Sequence, residues 1–198
     1  MIFAENLTVS YAQQSVLQNC NLHIARGERA ALMGPSGCGK TTLLSCIAGL
    51  SAPTSGTIFT KGKRISYVFQ EPRLLPWLSA AQNLNVVLSD SLKTMPSASH
   101  MLERLQLSDA ADKFPHELSG GMLQRLSIGR ALLYGGDLLL LDEPLKGLDK
   151  ELKAEVAALI DELSAGKTIL SVSHDESEVA LLADTVYRYE NGSFIRQK

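Results

Sequence analysis

The sequence predicts an α/β fold: a mostly parallel sheet flanked by helices, with an antiparallel β part at the N-terminal end and a small helical insertion. Three observations carry this. Continuous apolar runs such as D-L-L-L-L-D-E-P (137–144) and T-I-L-S-V-S-H (168–174) read as strands buried on both faces, the mark of a parallel sheet. These strands alternate with stretches of helical apolar spacing, which implies right-handed crossovers. Shorter, alternating runs fill the first third of the chain.

In chain order, L-T-V-S-Y (7–11) alternates, and N-L-H-I-A (21–25) and R-A-A-L-M (29–33) are short strands around the turn Arg26, Gly27, Glu28. T-L-L-S-C-I-A-G-L (42–50) has helical spacing and ends at Gly49. T-I-F-T-K-G-K-R-I-S-Y-V-F-Q (57–70) predicts a hairpin followed by a strand that stops at Gln70. From Glu71 to about Pro115 prolines and short helical patterns replace strands, with Met101, Leu102 and Leu105 on one helix face. A helix runs from Ser119 toward Tyr134. The segment 151–163 is amphipathic, with Leu152, Val156, Leu159, Ile160 and Leu163 on its apolar face. The tail, 185–196, reads as a hairpin turning at Asn191 and Gly192. The organisation expected is one domain over 1–198, with a core from 1–70 and 119–198. A helical subdomain of about 71–134 overlaps the core boundary.

Composition narrows the function. Hydrophobic residues are 45% of the 198, ample for a globular core, and the net charge of -2 leaves no basic footprint for nucleic acid. The apolar runs are too short to span a bilayer, and the first residues carry an early acid and no signal-peptide pattern. A cytosolic chain is expected. Its cysteines, Cys20, Cys38 and Cys46, are odd in number and lack C-x-x-C spacing, so they read as ordinary thiols.

G-P-S-G-C-G-K-T (34–41) matches the P-loop pattern in full and stands between a strand and a helix. Gly34, Gly37 and Gly39 let the backbone wrap phosphates, with Pro35, Ser36 and Cys38 between them and Thr42 following. The start of the next helix adds its positive dipole end. Lys40 supplies a mobile cation, and the Thr41 hydroxyl is placed to ligate Mg²⁺. Asp142 and Glu143 end a buried strand at the sheet edge where α/β folds bind ligands, so Asp142 suits Mg²⁺ and Glu143 suits polarising water. Gln70 and His174 each close an apolar strand at the same edge, as candidate sensors of a γ-phosphate. Tyr11, at the end of the first strand, could stack on adenine or be an ordinary edge tyrosine. L-S-G-G-M (118–122) reads equally as a capped helix, with Ser119 as N-cap, or as a second anion site at a helix N-terminus, exposed by Gly120 and Gly121.

Taken together, these residues resemble the nucleotide-binding subunit of an ATP-binding cassette transporter, almost end to end. The resemblance makes 34–41 the phosphate loop and Gln70 the Q-loop glutamine, in the reach of the metal. L-S-G-G-M becomes the family signature, L-L-L-L-D-E-P the Walker B strand with Glu143 as catalytic glutamate, Asp149 the D-loop acid, and His174 the switch histidine. It implies that two subunits pack head to tail around two ATP molecules, with Mg²⁺, the P-loop of one facing Ser119, Gly120 and Gly121 of the other. It also implies permease subunits, a substrate-binding protein and a place on the inner face of the membrane. Q-E-P-R-L-L-P-W (70–77) most resembles importer ATPases of the nitrate, sulfonate and taurine group. Two departures are Leu123, where a polar or basic residue is common, and Lys146, in place of a small residue ahead of the D-loop. An exporter or lipid-handling ATPase shares the same chemistry. A non-transport cassette usually carries coiled-coil or zinc insertions, and a P-loop kinase leaves L-S-G-G-M and His174 unexplained.

Overall fold

A computed structural model describes residues 1–11, 14–60, 64–88, 96–190 and 192–197. β1 (Ile2–Tyr11), β2 (Gln14–Ile24) and β4 (Ser55–Thr60) form an antiparallel sheet in the order β2-β1-β4. A six-stranded sheet in the order β5-β6-β7-β3-β8-β9 contains β3 (Arg29–Met33), β5 (Ile65–Val68), β6 (Leu138–Asp142), β7 (Thr168–Val172), β8 (Thr185–Glu190) and β9 (Ser193–Arg196). Its strands β5, β6, β7, β3 and β8 are parallel, and β9 is antiparallel to β8. The expected fold class is the one observed.

The helices are α1 (Lys40–Ile47), α2 (Ala80–Asn85), α3 (Ala98–Arg104), α4 (Gly120–Tyr134), α5 (Lys150–Leu163) and α6 (Glu176–Leu182). The buried strands explain why the chain needs two helical or sheet layers against them. Successive side chains of a strand face opposite sides. Leu139 and Leu141 of β6 therefore join the core formed with α2, α3, α4 and α5, while Leu138 and Leu140 join the core under the antiparallel sheet and α1. Ile169 and Leu170 divide between the same two cores. The apolar face expected on α5 is present, with Val156, Leu159 and Ile160 buried and Leu152 and Leu163 packed partly against them.

One expectation from the sequence is corrected, and one helix is added. The hairpin expected within 57–70 does not form among the described residues: β4 pairs with β1 and β5 pairs with β6, in different sheets. Both strands satisfy their backbone groups with distant partners, so local alternation was no guide to pairing. Helix α6, in a stretch to which the sequence reading assigned no element, lies between β7 and the tail hairpin. Its signals are the Asp175 N-cap, which accepts from Ser177 N, and Glu176 and Glu178 in the first turn. The tail hairpin forms, and Asn191 of its expected turn lies outside the described residues.

Candidate active site

The parallel strands deliver their carboxyl ends to one edge, and the candidate residues follow them. β3 leads into the loop 34–41, β5 into Gln70, β6 into Asp142 and Glu143, and β7 into His174. A cleft of about 240 Å³ opens there. Its walls include Ser36, Gly37, Gly39, Lys40, Thr41, Thr42, Gln70, Asp142 and Glu143, closed by Val16 and Val172.

The loop geometry needs its glycine at position 39. Gly39 caps α1 with φ +94°, and a Cβ there would come within 2.6 Å of Leu17 Cδ2. The Lys40 ammonium donates to the carbonyls of Gly34 (2.7 Å) and Pro35 (2.8 Å) and lies 3.8 Å from Cys38 Sγ. The hydrogen-bond acceptors of this cation among the described residues are neutral, which leaves its charge available to an anion. The three cysteines are free and buried, and burial pushes the Cys20 thiol up to about 11, consistent with an inert side chain.

Asp142 is only 1% exposed, and neither of its carboxylate oxygens closes a hydrogen bond of good geometry among the described residues. Burial raises its pKa. The nearby Thr41 hydroxyl favours the charged form, the neighbouring Glu143 charge opposes it, and Lys40 and Lys146 favour it. An orphaned buried carboxylate beside a hydroxyl is costly in isolation and fits a hard divalent cation, which prefers oxygen ligands. Thr41, Asp142 and Gln70 border the same cleft, so the residues present fit Mg²⁺.

Glu143 sits at φ +48°, unusual for a residue with a side chain and more so directly before Pro144. Such a conformation costs roughly 1–3 kcal/mol. It is held by Glu143 N donating to Val172 O (2.9 Å) and turns the carboxylate toward three partners. Lys146 Nζ lies 2.7 Å from Oε2, Gln70 Nε2 3.4 Å from Oε2, and His174 Nδ1 3.2 Å from Oε1. Burial pushes the Glu143 pKa up, but Lys146, by hydrogen bond and charge, and His174 outweigh it and the net shift is downward.

Behind His174 is a buried network. Ser173 Oγ donates to Glu178 Oε2 (2.8 Å), Lys153 Nζ pairs with Glu178 Oε1 (2.8 Å) and Asp175 Oδ2 (3.3 Å), and Asp175 N donates to Ser173 Oγ (3.1 Å). This joins α5 to the segment carrying His174. Asp149 caps the start of α5, accepting from Leu152 N at 2.9 Å. Gln124 Nε2, from α4, donates to Pro144 O at 3.0 Å and ties the helical layer to the Glu143 turn.

The structure thus brings together the P-loop, Gln70, Asp142, Glu143 and His174. It does not bring the remaining candidates to the same cleft. Ser119 caps α4 by accepting from Met122 N (3.3 Å), and Gly120 and Gly121 open that helix, but none of the three is a wall of the cleft. Tyr11 is 53% exposed at the end of β1 and is not a wall either. Sequence reasoning had no role for Lys153, Glu178 or Ser173, since partners on separate helices leave no periodic trace. The contact of Lys146 with Glu143 had a faint signal, a spacing of three residues across a proline turn.

The family model described as ABC transporter matches residues 17–146. The aliphatic sulfonates import ATP-binding protein SsuB 3 of Pseudomonas syringae pv. tomato is 39% identical over 197 residues, covering 95% of this chain and 72% of its own. The SsuB 1 protein of the same description from Shouchella clausii is 40% identical over 187 residues, covering 93% and 75%. A dimeric structure of the ATP-binding cassette MJ0796 in a post-hydrolysis state, bound to ADP and Pi, superposes with a TM-score of 0.89 at 29% identity, covering 100% of this chain and 98% of that one. The P-loop, the acidic strand end and the capped start of α4 therefore sit in a chain that belongs to the ABC transporter family, as one of its ATP-hydrolysing proteins.

Proposed function

We propose that this ATPase powers solute import by closing head to tail with a second cassette around ATP. The observation that carries the reading is a division. Gln70, Asp142, Glu143 and the P-loop share one cleft, with His174 on Glu143, whereas Ser119, Gly120 and Gly121 form a capped helix start outside it. An exposed helix N-terminus is an anion site without a ligand in its own chain, and a two-fold pair of chains would supply one. The dimeric state of the MJ0796 cassette supports the same arrangement.

In this reading Lys40 and the backbone of 34–41 hold the phosphates, and Thr41, Asp142 and Gln70 hold Mg²⁺, which when bound offsets phosphate charge. Tyr11 offers its ring to adenine. Glu143 orients the attacking water, His174 holds Glu143 and the terminal phosphate, and Asp149 meets the partner chain. The helical segment of about 71–134 carries closure to permease subunits at the inner face of the membrane. Support for that role comes from the solvent-facing apolar side chains Trp77 (68% exposed) and Val86 (56%) around α2. No helix among the described residues is long and apolar enough to cross a membrane itself. The import role printed for the SsuB relatives favours an importer, with a substrate-binding protein delivering the solute.

The test is Glu143→Gln. Loss of MgATP turnover with an ATP-dependent dimer in light scattering is expected. A variant that stays monomeric at saturating MgATP would overturn the sandwich.

A further inference from the structure

Glu143 is held by groups from three places, and Lys146 has no part in the chemistry just described. Its ammonium lies 2.7 Å from Oε2, and its amide donates to the Glu143 carbonyl at 3.3 Å, closing the turn that contains Pro144. Gln70 Nε2 reaches the same Oε2 at 3.4 Å, and His174 Nδ1 faces Oε1 at 3.2 Å. An ionised carboxylate has about four lone-pair sites on two oxygens. Two of the contacts here are on Oε2 and one on Oε1, and the shortest is the charged one, the strongest kind.

Lys146 does not line the cleft. Its side chain, 55% exposed, reaches the carboxylate from outside, while Glu143, 16% exposed, lines the cleft. To orient water, Glu143 must present a free oxygen to the cleft. A lone pair of Oε2 taken by the ammonium is not available for that task. The lysine stem is long and solvated, and Gly147 follows it with φ +77° and nothing within 4 Å of where a Cβ would sit. The turn therefore has room to open.

We propose that Lys146 restrains Glu143: in the isolated subunit the ion pair holds the carboxylate out of use, and each turnover requires that contact to open. Lys146 is a positioning residue, acting through Glu143 and not on the nucleotide. The proposal rests on the reading of Glu143 as the group that orients water.

The experiment measures kcat and KM for MgATP in full-length Lys146→Ala and Lys146→Arg, with Glu143→Gln alongside and thermal melts to confirm folding. Lys146→Ala is expected to raise kcat about threefold, solvent-exposed ion pairs being weak, with KM unchanged. Lys146→Arg, which keeps a cation and a planar fork for carboxylate, is expected to return the parent rate. A folded Lys146→Ala protein with kcat at or below the parent, or with a changed KM, overturns the restraint while an inactive Glu143→Gln leaves the reading of Glu143 standing. A Glu143→Gln protein that keeps its turnover overturns that reading instead.

Discussion

Asp175 shows how much one side chain does at the candidate site. It caps α6 by accepting from Ser177 Oγ (2.6 Å) and Ser177 N (2.8 Å), and it meets Lys153 Nζ at 3.3 Å. The Ser177 hydroxyl and amide, joined by Lys153, hold its carboxyl down at about 2, against an ordinary 3.8. A depressed folded-state pKa means that the ionised form is the one the fold favours. Its contribution to stability is whole above pH 3.8 and is lost as pH falls toward 2. Asp175→Asn keeps a capping oxygen and removes the charge. In urea titrations its deficit against the parent should be constant from pH 7 to about 4 and shrink below that; a constant deficit down to pH 2.5 would show that charge is not the cause. At this scale the sequence was most legible where a residue type has few other uses: Lys40 after glycines, or two acids after four leucines. It was least legible for Lys146, because an exposed lysine is ordinary until the carboxylate it reaches is seen.

Between elements, one tie near the site runs from Lys153, on α5, to Glu178, on α6, at 2.8 Å. Glu178 is 4% exposed and also takes the Ser173 hydroxyl, so it is a buried charge with one cationic partner. Removing that partner leaves the charge uncompensated. Lys153→Met is expected to destabilise the protein by roughly 3 kcal/mol, read from urea midpoints, and the added Glu178→Gln should restore most of it. If the double variant is less stable than the single, the pair does not carry the tie. Long, strongly patterned elements were readable in the sequence: α5, β6 and β7 have one dominant period each. Pairing was not. β4 and β5 are separated by a few residues, yet they belong to different sheets, because the partners that satisfy their backbones are β1 and β6. α6 is a seven-residue helix, short enough for its apolar spacing to be lost between two strands.

At the scale of the whole molecule, the placement of the cleft was legible because topology forces it: parallel strands put all their carboxyl ends on one side. The division between the cleft and the start of α4 was not, since periodicity says nothing about which helix starts face the same space. That division predicts the behaviour of Ser119→Arg. A bulky cation at the start of α4 blocks what docks there and touches no wall of the cleft. Binding of a fluorescent ATP analogue should persist within about threefold, and hydrolysis should fall by more than about a hundredfold, since a lost catalytic contact of this kind costs that much. Normal turnover in this variant would mean that one chain suffices.

β6 gives the molecule its fixed frame. Leu138 and Leu140 are clamped in one core, and Leu139 and Leu141 in the other, so the strand is gripped from both sides along its whole length. In mechanical terms it is a beam embedded at its root, with Asp142 and Glu143 at the free tip. The backbone that carries the acids is therefore held in place. Movement at the candidate site then falls to what surrounds that backbone: the loop 34–41, the Gln70 and His174 segments, the Lys146 turn and the Glu143 side chain itself.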